Sequence, residues 1–145
     1  MVKLRWLVLC PLLAGLAALA GGGYGGQREA PADVPQANPW RGCYRGTYTG
    51  SDQGTWEARV NRRGHLTGTA ESPGLGTCNV VGTVTAAGRL RASGSGTGEI
   101  GPYTVKWTGR FQVSEDTGNI RCHGQWSVDG SSYSGTWRGR KVRCE

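Results

Sequence analysis

An alternation of apolar and polar residues, repeated eight times between residues 42 and 145, constrains the fold more than any other feature of the chain. Each repeat has glycine or alanine at its centre, apolar or small residues two positions away, and polar residues between them. The eight segments are Tyr44–Tyr48, Trp56–Val60, Leu66–Ala70, Val80–Val84, Leu90–Gly94, Trp107–Phe111, Cys122–Trp126 and Tyr133–Trp137. Because successive side chains of a β-strand point to opposite faces, each segment predicts a strand with one buried and one solvated face.

The short connections between these segments indicate how the strands are arranged. Parallel pairing requires long crossover connections, so the eight strands are expected to form an antiparallel meander. Closure of such a meander leaves no exposed strand edge. We therefore predict an all-β fold, an eight-strand meander that forms a small closed or nearly closed up-and-down β-barrel, with a β-sandwich as the alternative. A membrane-spanning barrel needs strands of roughly 9–11 residues, and the apolar segments here are shorter.

Glycine accounts for 26 of the 145 residues, and its positions favour a β-fold over a disordered chain. One group of glycines lies in turn-like sequences such as Asp129-Gly130, which is typical of a hairpin. The other group lies at the strand centres, where a missing side chain leaves space for large aromatic rings. The rings expected in this space belong to Trp56, Trp107, Phe111, Trp126, Tyr133 and Trp137. These rings either fill the interior or line a cavity for a ligand.

The chain divides into three regions. Residues 1–20 combine a positively charged start, an apolar stretch and small residues before a cleavage point near Ala20, the pattern of a secretory signal peptide. Residues 21–41 are rich in glycine, proline and alanine, as in a flexible tether, and residues 42–145 form the barrel domain. The sequence before Gly22 is similar to a lipobox, but glycine stands where the acylated cysteine would be. The mature protein is expected to be periplasmic or secreted, with no membrane span.

Four cysteines follow the predicted signal peptide: Cys43, Cys78, Cys122 and Cys144. An exported chain with an even number of cysteines favours disulfides, and no Cys-x-x-Cys spacing indicates zinc. In a closed meander the first and last strands are neighbours, so Cys43 and Cys144 fall at the same end and are expected to pair. A second disulfide, Cys78–Cys122, then follows by elimination, although the strand count places these two cysteines at different heights.

The predicted inner face carries no group that suits catalysis. Most carboxylates lie in turns, and no two of them share the inner face. His65 and His123 have no serine or cysteine nucleophile in a recognisable context, and neither a phosphate-binding loop nor a dinucleotide motif is present. We therefore predict a protein that is not an enzyme and has no catalytic residues, no cofactor and no metal site.

The predicted outer face is basic over the later strands. Its candidate binding residues are Arg89, Arg91, Lys106, Arg110 and Arg121, on the fifth, sixth and seventh strands. Neighbouring strands lie about 4.8 Å apart, so these side chains are expected to form one patch that attracts an anionic protein, polymer or glycan. A solvated face that only keeps the protein soluble is the alternative. No aromatic residue lies among the arginines, which disfavours a nucleic acid partner.

The sequence from Gly54-Thr-Trp56 through Gly64 to Gly68-Thr resembles the opening hairpin of avidin-like and lipocalin-like barrels. This resemblance covers residues 54–69 and implies a barrel that carries a ligand. No set of ligand-binding residues from those families matches this chain. In size and architecture the chain is also similar to small exported bacterial barrels, including periplasmic lysozyme inhibitors and immunity proteins.

Two hypotheses about function follow. The first is an exported bacterial, non-enzymatic domain that binds a macromolecular and anionic partner, as inhibitors and immunity proteins do. Its recognition surface would be the basic face or the loops Ser95–Pro102 and Ser72–Thr77, since binding residues concentrate on loops. The alternative is a carrier of a small apolar ligand, held in a cavity lined by Trp56, Trp107, Phe111, Trp126 and Trp137.

Overall fold

Each of the eight alternating segments forms a β-strand in the computed structural model, which describes residues 35–145. The strands are β1 (Gly42–Gly50), β2 (Gly54–Val60), β3 (His65–Ser72), β4 (Gly76–Val84), β5 (Arg89–Gly98), β6 (Gly101–Val113), β7 (Ile120–Val128) and β8 (Ser134–Val142). The described residues contain no helix. The predicted signal peptide and the first part of the tether lie outside the described residues.

The eight strands form one closed barrel in sequence order. Every strand pairs antiparallel with the next, and β8 returns to pair with β1, where Tyr48 lies opposite Trp137. The prediction of an up-and-down β-barrel is therefore confirmed, and the sandwich alternative is excluded. Side chains alternate along each strand between a buried inner face and an exposed outer face, as the period of two requires.

The connection between β2 and β3 shows how the turns are built. The side-chain oxygen of Asn61 accepts hydrogen bonds from the backbone N–H groups of Arg63 (2.8 Å) and His65 (3.1 Å). Gly64 has a φ of 84°, a left-handed conformation that glycine adopts without steric cost. The Asn–x–x–Gly sequence thus reverses the chain within four residues and brings β3 back beside β2.

The prediction of an irregular loop over Ser95–Pro102 is wrong for most of these residues. β5 continues to Gly98 and β6 begins at Gly101, so only Glu99 and Ile100 lie between the two strands. Thr97 lies opposite Pro102, and the ladder extends to the end of the hairpin. The glycine-rich composition predicts an irregular loop, but pairing with β6 holds these residues in extended strands.

The interior of the barrel is filled by aromatic rings that lie opposite small residues on the adjacent strands. Trp56 lies opposite Gly46, Trp126 opposite Gly135, and Trp137 opposite Gly124. The ring of Trp137 stands 5.5 Å from that of Trp56 and 6.4 Å from that of Trp107, centroid to centroid. The small strand centres therefore accommodate rings from neighbouring strands, as predicted from their positions.

The indole N–H of Trp137 shows how a ring is held at a strand centre. It donates to the backbone carbonyl oxygens of Thr108 (3.1 Å) and Gln125 (3.2 Å). These two residues directly precede Gly109 and follow Gly124, which lie opposite each other on β6 and β7. A Cβ atom on Gly109 would overlap the Trp137 ring, and a Cβ atom on Gly124 would overlap the carbonyl oxygen of Thr108. The absence of both side chains is therefore a requirement for this packing.

A disulfide between Cys43 and Cys144 joins the two strands that close the barrel, with 5.2 Å between the Cα atoms. The prediction of this pair is confirmed. The adjacent segment Pro35–Arg41, which the sequence assigns to the tether, contacts the same end of the barrel. The Trp40 indole N–H donates to the carbonyl of Ala86 at 3.0 Å, and its ring lies 6.2 Å from that of Phe111.

The predicted disulfide Cys78–Cys122 is wrong, because both residues are separate buried thiols. Cys78 lies on β4 and Cys122 on β7, three strands apart around the barrel. Since neighbouring strands are about 4.8 Å apart, three strand spacings exceed the separation of about 7 Å within which the Cα atoms of a disulfide must lie. Pairing by elimination fails here because it ignores the positions of the two strands.

Neither thiol is expected to react with an alkylating reagent while the barrel is folded. Burial raises the pKa of Cys122 to about 12 and also raises the pKa of Cys78, so the reactive thiolate is scarce at neutral pH. Alkylation of the native and the denatured protein, followed by peptide mapping, checks this expectation. Both cysteines should be labelled only after unfolding, and rapid labelling of either one in the native protein would contradict their burial.

Candidate functional site

The basic residues of the strands are concentrated on one half of the barrel. Strands β5 to β8 contain no aspartate or glutamate, whereas β1 to β4 contain Glu57 and Glu71 together with only Arg45 and Arg59. The basic residues on β5 to β8 are Arg89, Arg91, Lys106, Arg110, Arg121, Arg138, Arg140 and Lys141. The strands of this half therefore carry positive charge alone, while the strand charges of the other half balance; the acidic residues of the positive half lie in its turns.

The strand register brings five of these arginines together, and we call them the arginine face: Arg89, Arg110, Arg121, Arg138 and Arg140. One row crosses four strands, from Arg89 through Arg110 and His123 to Arg138. A second row, two positions further along the strands, places Arg121 opposite Arg140. All five side chains are exposed on the outer face. Adjacent members of a row are attached to backbones about 4.8 Å apart, so their charges act together on an approaching partner.

No carboxylate within residues 35–145 forms an ion pair with the arginine face. The ion pairs of the described residues join Arg45 to Glu57 and Glu145, and Lys106 to Asp129 at 2.9 Å. The charges of the arginine face are therefore free for contacts with another molecule, while the charge of Lys106 is partly compensated.

Two direct pairs within the arginine face are electrostatically unfavourable. Arg89 lies directly opposite Arg110, and Arg121 directly opposite Arg140. Like charges at directly opposed positions of an antiparallel pair destabilise a sheet. An anion bound between them would remove this repulsion.

Between the two central strands of this half, the outer face has a depression of about 420 Å³. Its floor is the backbone of Gly109 and Gly124, which face each other across β6 and β7. The surrounding side chains are Thr108, Arg110, His123, Gln125 and Thr136. Gly109 and Gly124 take inward positions in the alternation, so the depression lies over their backbone, between the outward side chains that precede and follow them on the two strands.

The interior contains a cavity of about 30 Å³, roughly the space of a single water molecule. Trp56, Trp107, Phe111 and Trp137 line it, whereas Trp126 is buried beside Trp107 and Tyr48. Pockets for small apolar ligands enclose about 300 Å³ or more. The aromatic residues proposed as ligand contacts therefore pack mainly against one another.

The sequence located part of the arginine face. Arg89, Arg91, Arg110 and Arg121 lie on the outer face of β5 to β7, with Arg91 opposite Thr108, one row away from Arg89. Lys106 lies on the same face, four residues from Arg110 and paired with Asp129. The five candidate residues do not include Arg138 and Arg140, although the sequence from Arg138 to Arg143 adds positive charge near the patch. Their alternation on β8 and the closure of β8 beside β7 were the signals that could have included them.

Within residues 35–145 no charged side chain is buried, and no three histidine, cysteine or acidic side chains come close enough to hold a metal ion. Tyr44 and Tyr103 are buried, and desolvation raises the pKa of both phenols, so neither is ionised at neutral pH. Tyr103 instead donates a hydrogen bond of 2.8 Å to the carbonyl of Leu75.

The chain matches no model of a known protein family, no curated protein and no solved structure. Within residues 35–145 there is no helix of the length and hydropathy needed to span a membrane.

Proposed function

We propose that this protein is a non-enzymatic binding domain that recognises an anionic macromolecule through the arginine face. The observation that carries this proposal is the uncompensated charge of the arginine face, where five exposed arginines converge without a carboxylate partner. Arginine suits this role because its planar guanidinium donates in a fixed fork to carboxylate, sulfate or phosphate oxygens.

The closed barrel supports the proposed function as a rigid scaffold. Each arginine of the face is attached to a strand that is paired on both sides, so the spacing of the charges is set by the ladder. A partner with regularly spaced negative groups gains several contacts at once without ordering a loop. An exported location, proposed from the predicted signal peptide and consistent with the disulfide, would place the face among envelope or extracellular polyanions and acidic proteins.

Charge reversal of three residues of the face tests the proposal. The triple variant Arg89→Glu, Arg110→Glu, Arg138→Glu is expected to bind an immobilised sulfated polysaccharide at least about tenfold more weakly than the unmodified protein at 0.15 M salt, because each change replaces attraction by repulsion. Surface plasmon resonance measures the affinities, and circular dichroism verifies that the barrel remains folded.

A matched control separates the face from net charge. The triple variant Arg59→Glu, Arg62→Glu, Arg63→Glu changes the net charge equally, but its exposed residues lie on β2 and the following turn. Its affinity is expected to remain within about threefold of the unmodified protein. Equal weakening by both variants would reduce the effect to overall charge, and absence of binding by the unmodified protein would refute the proposed polyanion binding.

A further inference from the structure

We infer that the depression above Gly109 and Gly124 is a subsite for one sulfate or phosphate group of a glycan. This subsite rests on the proposed function and specifies the chemistry of the partner. The depression lies at the centre of the positive half of the barrel, between the row of Arg110 and His123 and the row of Thr108 and Gln125. A group that enters it approaches the strand backbone between these two rows of outward side chains.

Hydrogen-bond donors reach this depression from three strands. β6 contributes the guanidinium of Arg110 and the hydroxyl of Thr108, β7 the imidazole of His123 and the amide of Gln125, and β8 the hydroxyl of Thr136. Arg138 flanks His123 on the side opposite Arg110. Donors on several sides match the three terminal oxygens of a sulfate or phosphate monoester better than the two coplanar oxygens of a carboxylate.

The surroundings of the depression favour a glycan over a nucleic acid as the carrier of this group. Proteins that bind single-stranded nucleic acid stack the bases on aromatic side chains. The outward positions of β5 to β8 contain no phenylalanine, tyrosine or tryptophan. They contain instead hydroxyl and amide groups that hydrogen-bond to sugar hydroxyls, including those of Ser93, Ser127 and Ser134 in the row next to Thr108.

A variant that leaves every arginine in place tests the subsite separately from the arginine face. In His123→Leu, Thr136→Val two donors of the depression are removed. The matched control His65→Leu, Thr67→Val makes the same changes at exposed outward positions of β3. Each protein is titrated with sodium sulfate, sodium phosphate and sodium acetate at constant ionic strength, and binding is followed by NMR signals of arginine Nε–H and backbone amide groups.

The subsite predicts a saturable response to sulfate or phosphate, centred on Arg110, His123 and Gly124, and a weaker response to acetate. The depression variant should lose at least about fivefold in affinity for the oxyanion, whereas the control should not change. Both should still bind the sulfated polysaccharide, because the arginine face is intact. The sulfate and phosphate titrations then show which of the two groups the subsite prefers.

Three results would overturn the subsite. The first is a response to sulfate and phosphate that is spread over all arginines without saturation, or that acetate reproduces. The second is equal weakening by the depression variant and its control. The third is tighter binding of single-stranded or duplex DNA than of the sulfated polysaccharide at equal salt, which would exclude a glycan partner. In all three cases the proposed binding by the arginine face stands if the unmodified protein still binds a polyanion, and it fails with the subsite if no polyanion binds.

Discussion

Removal of the Cys43–Cys144 disulfide is expected to lower the free energy of unfolding by about 2–5 kcal/mol. The two residues are 101 positions apart and join β1 to β8, the pair of strands with the largest separation along the chain. Reduction therefore frees a loop of nearly the whole barrel in the unfolded chain, and the entropy of the unfolded state rises. Denaturant unfolding of Cys43→Ser, Cys144→Ser beside the unmodified protein measures the loss.

The same double variant provides its own control. Within the described residues no other disulfide exists, because Cys78 and Cys122 are separate thiols. A reducing agent should therefore destabilise the unmodified protein to the level of the variant and leave the variant unchanged. A further loss of stability when the variant is reduced would contradict this assignment of the cysteines.

Gly124→Ala is expected to destabilise the barrel by about 1–3 kcal/mol, although it adds a single methyl group. The new Cβ atom would overlap the backbone carbonyl oxygen of Thr108. That oxygen accepts the hydrogen bond from the Trp137 indole, so a displacement of the strand also disturbs the packed ring. The equilibrium free energy of unfolding, measured by denaturant titration, gives the size of the effect.

Gly74→Ala is the matched control for this substitution. Gly74 lies in the turn between β3 and β4, where an added Cβ atom would meet the carboxylate oxygen of Asp52 at 3.4 Å, an ordinary contact. Both substitutions reduce the entropy of the unfolded chain alike, so their difference isolates the fit of the methyl group in the folded barrel. A stability change within about 0.5 kcal/mol is expected for Gly74→Ala. Similar effects at both positions would contradict a steric requirement for glycine at the strand centre.

The barrel could be predicted from the sequence because its determinants are local and periodic. The apolar alternation around Gly46, Gly109 and Gly124 identifies strands, and the short connections leave only an antiparallel order. Closure then places Cys43 beside Cys144. The same positions predicted that rings occupy the space beside the glycines at the strand centres, but they left open whether the rings fill the interior or line a cavity.

The remaining features depend on information that no local pattern contains. The separation of Cys78 from Cys122 follows from the order of strands around the barrel. Elimination among four cysteines paired them although the strand count already placed them at different heights. The extension of β5 to Gly98 depends on pairing with β6, which overrides the glycine-rich composition. The ion pair of Lys106 with Asp129 depends on how the β7–β8 turn folds back. The charge of Lys106 by itself therefore predicted a free binding residue where the structure has a paired one.

Prediction of the whole arginine face requires both the alternation of side chains along each strand and the closure of the barrel. Arg110 and Arg121 could be placed on the outer face by counting along their strands. Arg138 and Arg140 join them only because β8 pairs with β7 in a fixed register. The depression above Gly109 and Gly124 could not be anticipated, since it depends on the register that places Arg110 opposite His123 and Thr108 opposite Gln125 across β6 and β7.

The salt dependence of binding tests most directly whether the arginine face holds an anionic partner. Each guanidinium that neutralises an anionic group releases counterions, so the logarithm of the binding constant falls linearly with the logarithm of the salt concentration. For a sulfated polysaccharide, the magnitude of this negative slope is expected to decrease by about one for each arginine removed. It should therefore decrease by about three in Arg89→Gln, Arg110→Gln, Arg138→Gln. An unchanged slope in this variant, with the barrel intact, would contradict binding by the arginine face.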